Sequence, residues 1–290
     1  MTGQLGDADA LDQRLRALLA EDVGTRDATT ETTVPESARA DGTVLARSGC
    51  VVSGLPVARR VFALLEPALS WTGEAPAGSS VSAGTVLARI SGPARPILTA
   101  ERLALNLLQR MCGIATETRR YVDAVAGTRC QILDTRKTAP GLRAFDRQAV
   151  RDGGGVNHRD TLSAMVLIKD NHRDIAGGIL RAVPAARAGA PGLVIEVEVE
   201  SEQNLADALA SGADWVLIDN QTPETVARWC AIVRLVSRPV FVEASGNMRL
   251  DTVRAYADAG VDGVSVGALT HSVRAADISL ELTPTMTPTP

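Results

Sequence analysis

The sequence predicts an α/β protein: a mixed N-terminal region leading into parallel strands that alternate with helices. Three observations predict it. Near-continuous apolar runs at 131–135, 165–169, 193–199, 215–219, 239–243 and 263–267 are separated by helical stretches, and runs apolar throughout belong to strands buried on both faces. Charged clusters stand at the C-terminal ends of several runs; in a parallel barrel all such ends open on one mouth. Few residues are aromatic while Ala, Val, Leu and Gly abound, which suits helix-on-sheet packing. Pattern alone also allows an open doubly wound sheet, but the first strand–helix turn carries no GxGxxG.

Taken in order, Leu11, Leu15, Leu18 and Leu19 mark one face of an opening amphipathic helix that Gly24 ends. From there to about Pro96 the chain reads as short strands with one more helix. Gly42-Thr-Val-Leu-Ala-Arg recurs from Gly84, which predicts two similar turn–strand units in one antiparallel sheet. A lipoyl-type carrier would need a lysine at a hairpin tip, and none stands there. Thr99 is placed to cap a helix from Glu101–Arg102 past Leu107 to Cys112, interrupted by Gly113. Leu103, Leu107 and Met111 line one side and Leu105, Leu108 and Cys112 another, so this helix must be buried on both, between domains or subunits. Beyond it, helices are expected at Gln203–Ala210, Thr225–Leu235 and Leu250–Ala259. Six strands are visible, fewer than a complete eightfold barrel. The Thr/Pro tail from Thr283 to Pro290 is expected to be disordered.

A net charge of −4 argues against general affinity for nucleic acid or an anionic membrane, so any basic site is local. No apolar run is long enough to span a bilayer, and the acidic Met1–Asp9 lacks a signal pattern. Cys50, Cys112, Cys130 and Cys230 lie far apart with no CxxC pair, which predicts reduced thiols in a cytoplasmic protein.

The charged clusters suggest a polyanionic substrate. Arg136 and Lys137 end the 131–135 run, where the turn at Pro140–Gly141 lets both reach the mouth; the alternative is a solvated basic loop. Gly153-Gly154-Gly155 permits close ligand approach, and His158 and Arg159 follow, a pair suited to a carboxylate. Lys169 ends an apolar strand, either as a Schiff-base lysine or as an anchor for an anion; the many other cations favour the anchor. Glu196 and Glu198 share one side of their strand. If that side is the barrel interior, they need hydroxyls, a metal ion or cations as partners. Asp219 ends the next strand, and Mg²⁺ with a phosphorylated sugar would fit two hard oxygen ligands. Glu243-Ala-Ser-Gly-Asn247 and Val266-Gly267 place small residues before helix N-termini, a phosphate cradle of backbone N–H groups.

In this order these segments resemble the quinolinate phosphoribosyltransferase family, also called nicotinate-nucleotide pyrophosphorylase (carboxylating). The matching stretches are Glu21-Asp22, Asp27-Ala-Thr-Thr30, Thr99-Ala-Glu-Arg102 with Asn106, Gly113-Ile-Ala-Thr116, Asp134-Thr-Arg-Lys-Thr138 and Pro140-Gly-Leu-Arg143. They continue with Gly153-Gly-Gly-Val-Asn-His-Arg159, Ile168-Lys-Asp-Asn-His172, Glu196-Val-Glu-Val199, Asp219-Asn220, Glu243-Ala-Ser-Gly246 and Gly267-Ala-Leu-Thr-His-Ser272.

The resemblance implies an N-terminal α/β sandwich over 1–113, an incomplete, seven-stranded α/β barrel over 114–271, and a segment over 272–290 that returns to the N-terminal domain before a disordered tail. It implies a pentosyltransferase of NAD biosynthesis acting on quinolinate and phosphoribosyl pyrophosphate, with Mg²⁺ and shared sites in a homodimer. By similarity, Arg102 from the partner, Arg136, His158, Arg159 and Lys169 would hold the quinolinate carboxylates, and Lys137 would lie at the reacting centre. Glu198 and Asp219 would bind ribose hydroxyls and the Mg²⁺-linked pyrophosphate; Ser245, Gly246, Asn247 and Gly267 would hold the 5-phosphate. Cys112 replaces a usual serine, Ala139 a usual threonine, and Asn247-Met248 a usual Gly-Ile. The alternatives are the related barrel group of molybdenum-transport operons and a non-catalytic metabolite-binding homologue. The first departs from Lys-Asp-Asn-His, which is intact here, and the second should have lost an acid or a lysine.

Overall fold

The computed structural model describes Ala8–Thr285. Its first half runs α1 (Ala8–Val23), α2 (Ala28–Thr33), β1 (Arg39–Ala46), β2 (Cys50–Val51), α3 (Leu55–Leu65), β3 (Ser70–Gly73), β4 (Ser80–Val81), β5 (Val86–Pro93) and α4 (Ala94–Ala124). It continues with β6 (Gln131–Leu133), α5 (Arg143–Asp152), β7 (Val166–Ile168), α6 (Asp170–Ala176), α7 (Ile179–Gly189), β8 (Ile195–Val199) and α8 (Glu202–Ala210). Last come β9 (Trp215–Asp219), α9 (Pro223–Val233), β10 (Phe241–Ser245), α10 (Val253–Asp258), β11 (Gly263–Ser265), α11 (Ala268–His271) and β12 (Ile278–Thr285). The chain forms two compact units. One holds the described residues up to Arg119, Ala139–Gly154 and those from Val273 onward; the other holds Arg120–Thr138 and Gly155–Ser272.

In the first unit an antiparallel sheet has the order β12-β1-β5-β3. The two Gly-Thr-Val-Leu-Ala-Arg copies fall on β1 and β5, which pair directly, with Val44 opposite Ala88. Along β1, Ala40, Gly42, Val44 and Ala46 face inward, the period of two that a one-sided sheet requires. Helix α1 packs on α3, burying Leu15 and Leu19, and Gly24 ends α1 in the left-handed region at φ 61. The strand β12 pairs along β1 as far as Thr285 opposite Arg39. Thr283–Thr285 are therefore ordered, contrary to expectation, because backbone pairing needs no apolar side chains; 286–290, the rest of the expected tail, and Met1–Asp7 lie outside the described residues.

Helix α4 corrects the reading more substantially. It is continuous over Ala94–Ala124, so Thr99 is not its cap and Gly113 does not interrupt it. Thr99 Oγ1 instead donates to Asp27 Oδ2 at 2.9 Å, and Asp27 is the residue that caps α2. Gly113 is there for proximity: a Cβ on it would fall 2.2 Å from the Arg274 carbonyl oxygen. Its cost in helix propensity is smaller than the clash any side chain would create. Gly113→Ala should destabilise the protein by about 1–3 kcal/mol, measured by chemical denaturation, although alanine is the better helix former. An unchanged or raised midpoint would contradict this account.

The second unit is a parallel sheet of order β6-β11-β10-β9-β8-β7, containing all six strands expected. A seventh position is a single bridged residue. Val156 donates its N–H to Ile132 O at 2.8 Å and accepts from Asp134 N at 3.1 Å, adding one parallel bridge outside β6. All five residues of β8 are buried; Glu198 lines the cavity at the strand ends and Glu196 meets His158, so both acids face the interior. Register places Trp215 beside Phe241 and Asp219 beside Ser245, which layers the interior. At the bottom Trp215 and Phe241 stack with centroids 4.0 Å apart. Gly263 leaves room there, since a Cβ would sit 3.1 Å from the Phe241 ring. By the same register Glu196 stands beside Trp215, Glu198 and Glu243 stand beside Leu217, and Asp219 and Ser245 reach the rim. Among the described residues no helix is long and apolar enough to cross a membrane. All four cysteines are unpaired and buried.

Candidate active site

The rim of this second unit opens into a cleft of about 340 Å³ at the C-terminal strand ends, a volume suited to small ligands. One wall is cationic: Arg136, Lys137, Arg159 and Lys169. The other presents Glu198 and Asp219, with Ser245, Gly246 and Asn247 completing the rim. His158 also lines the cleft. Thus ten of the twelve residues singled out from the sequence meet here. The two exceptions are Gly267, which is not in the lining and precedes α11, and Arg102, an exposed residue of α4 in the first unit.

The loop carrying His158 is held from β6. Asp134, fully buried, accepts the His158 N–H at 2.8 Å and the Asn157 amide at 2.5 Å. Sequence reasoning gave Asp134 no role of its own; its bonds to a loop more than twenty residues away appear only in the fold. The Lys137 backbone is pinned on both sides, its N–H donating to Thr135 Oγ1 at 3.1 Å and its carbonyl accepting Thr270 Oγ1 at 2.9 Å. Burial first, and then the charge of Arg136, pull the Arg159 guanidinium below its ordinary value. Two such cations forced together favour an anion between them.

Beneath this wall lies a cluster only half foreseen. His158 Nε2 stands 3.0 Å from Glu196 Oε2 and 3.2 Å from Glu243 Oε2, ion-pairing distances, though not aligned as hydrogen bonds. The carboxylates are 0% and 1% exposed. Burial is the largest single influence on His158 and pulls its pKa down, but its contacts with the two carboxylates outweigh it and push the pKa up to about 10. Nδ1 accepts the Arg159 N–H at 2.7 Å, so in this arrangement the ring proton sits on Nε2. A second ring proton would have to displace that bond, which works against the rise. Burial, then the charge of Glu243, push Glu196 up to about 8, against the pull of His158. The His158 ring meets Trp215 edge-on at 5.8 Å, so the cluster rests on the aromatic floor.

At the rim, Lys169 Nζ donates to Glu198 Oε2 at 2.6 Å, pairing two residues to which the sequence reading gave separate ligands. Oxygens of Glu198, Glu200 and Asp219 lie within 4.8 Å of one another, a hard-oxygen set that fits Mg²⁺. Glu200 is the member the sequence reading missed; it continues the alternation of Glu196 and Glu198 one step beyond β8.

Residues 27–112 match the N-terminal domain of quinolinate phosphoribosyl transferase, and 114–281 match its C-terminal domain. The chain belongs to the quinolinate phosphoribosyltransferase family. Among its relatives is the nicotinate-nucleotide pyrophosphorylase (carboxylating) of Mycobacterium leprae, 43% identical over 285 residues, covering 94% of this chain and 98% of that one. The probable enzyme of the same name in Bacillus subtilis is 39% identical over 274 residues, with 94% and 93% covered. The crystal structure of NadC from Streptococcus pyogenes superposes with a TM-score of 0.89 at 37% identity, covering 95% and 97% of the two chains. The nicotinate-nucleotide pyrophosphorylase of Francisella tularensis superposes at 0.90 with 36% identity, covering 98% and 100%. Within the quinolinate phosphoribosyltransferase domains, every residue lining the cleft falls in the C-terminal match, and Arg102 in the N-terminal one.

Proposed function

We propose that this chain transfers the phosphoribosyl group of phosphoribosyl pyrophosphate to quinolinate with decarboxylation, yielding nicotinate mononucleotide, pyrophosphate and CO₂. The observation that carries the reading is the division of one cleft into a cationic wall and a carboxylate rim, in a chain of this family. A pyridine dicarboxylate suits Arg136 and Arg159, which offer planar, bidentate donors. Ribose hydroxyls suit Glu198 and Asp219 as hydrogen-bond acceptors, and the Ser245–Asn247 turn suits the 5-phosphate. So placed, the pyridine nitrogen faces the anomeric carbon, and the C–N bond forms as the bond to pyrophosphate breaks. The nitrogen, now quaternary and positively charged, stabilises the electron pair left on the adjacent ring carbon when its carboxylate leaves as CO₂, and a proton then takes up that pair on the carbon. Lys137 is free to follow the negative charge that builds on the pyrophosphate, a contact that strengthens in the transition state.

Glu198, Asp219 and Glu200 would hold Mg²⁺, which when bound neutralises pyrophosphate charge. The reading includes a homodimer in which the exposed Arg102 completes the partner's site, and a cytoplasmic location, supported by four unpaired cysteines. The test supplies purified protein with quinolinate, phosphoribosyl pyrophosphate and Mg²⁺ and follows CO₂ release and nicotinate mononucleotide together. Both should appear, chelation of Mg²⁺ should stop them, and nicotinate, with one carboxylate, should be a poor substrate. Equal use of nicotinate, or no CO₂, would overturn the reading.

A further inference from the structure

We propose that Asn220 is a positioning residue that joins the two halves of the phosphoribosyl site, with Asn247 as its partner. The inference deepens the reading above and rests on it for the identity of the ligand, a phosphorylated pentose. Both asparagines have left-handed backbones, at φ 51 and φ 48, a conformation that costs a non-glycine residue and persists where its surroundings enforce it. The enforcing contacts are explicit. The Asn220 N–H donates to the Ser245 carbonyl at 3.0 Å, tying the turn after β9 to the end of β10. The Asn220 amide donates through Nδ2 to Asp219 Oδ2 at 2.5 Å and accepts at Oδ1 from Asn247 Nδ2 at 3.3 Å. Gly246 lies directly against it, since a Cβ there would fall 2.3 Å from Asn220 Oδ1.

One amide therefore orients the carboxylate meant for the ribose hydroxyls and sets the turn meant for the 5-phosphate. The two ends of the ligand are gripped as a unit. An aspartate at 220 would keep the shape and the acceptor for Asn247, but it would lose the donor to Asp219 and set a second negative charge beside it. Glycine at 247 would keep the backbone at no steric cost and remove only the amide.

Ribose 5-phosphate and quinolinate, each titrated calorimetrically into folded protein, provide the test without relying on turnover. Asn220→Asp should weaken ribose 5-phosphate binding at least about tenfold and change quinolinate binding less than about twofold. Asn247→Gly should weaken ribose 5-phosphate about threefold in the wild-type background and clearly less when added to Asn220→Ala, because the contact between the pair is then already gone. Equal losses for both ligands, unaltered ribose 5-phosphate binding, or multiplying effects would overturn the clasp. A wild-type protein that binds ribose 5-phosphate yet makes no nicotinate mononucleotide would overturn the proposed reaction, while the same comparison of variants still decides the clasp.

Discussion

Lys137→Ala should lower kcat by about 10²–10³-fold, the loss seen when one preorganised donor to developing charge is removed, and should leave the KM for quinolinate within a few-fold. The structure gives the reason for the asymmetry with Lys169. Lys169 is committed to Glu198 at 2.6 Å, whereas among the described residues no carboxylate pairs with Lys137. Its backbone is pinned by Thr135 and Thr270, so the mobile part is the charged stem alone. Such a side chain gains most where charge appears, on the departing pyrophosphate, and little where charge already exists in the ground state. Steady-state kinetics with each substrate varied separates the two. A large rise in KM with kcat unchanged would place Lys137 in ground-state binding.

His158→Leu should destabilise the protein by about 3–5 kcal/mol, the cost of stranding buried charge whose partner is gone. Glu196 and Glu243 would be left facing each other with no histidine between them. Neutralising them together with the histidine, as His158→Leu with Glu196→Gln and Glu243→Gln, should recover more than half the loss. The pH dependence has a definite sign. Glu196 is pushed up to about 8 from 4.5, so the fold binds its proton more tightly than the unfolded chain does. Its contribution is full below pH 4.5 and is lost as pH rises through 8. His158, pushed up to about 10 from 6.5, likewise gives a contribution that is lost as pH rises through 10, and this outweighs its pull on Glu196, so its removal should flatten the loss of stability between about pH 6 and pH 9. Denaturant midpoints of wild type and variant at those two values measure it, and parallel curves would show that the histidine carries no such charge coupling.

The physical range of each interaction decided what the sequence could disclose. Strands β6 to β11 were legible because burial on both faces leaves uninterrupted apolar runs, and the cleft was legible because parallel strand ends share one mouth. Gly113 was misread because its local cost is visible in the chain, whereas the close approach of Arg274 is visible only in space. Val156 carried no signal at all, since a one-residue bridge has no periodicity. Glu196 was flagged as needing a partner, yet neither His158 nor Glu243 could be assigned to it. The two acids stand inside different strands and the histidine on a loop, and only the folded barrel brings all three within contact of one another. Thr283–Thr285 were misjudged from composition, which speaks to side-chain packing and not to backbone pairing.

The Val156 bridge has a consequence for affinity. Two backbone hydrogen bonds from Val156, together with the Asp134 contacts, are what hold the segment bearing His158 and Arg159 to β6. The acids opposite, by contrast, stand on strands paired along both edges. The two sides of the cleft thus rest on different amounts of backbone pairing, and whatever freedom the segment bearing His158 and Arg159 retains is an ordering cost set against dicarboxylate binding. Measured binding is what remains after that ordering cost. A substitution that tightened the seam at Val156 would strengthen dicarboxylate binding without adding a single contact to the ligand.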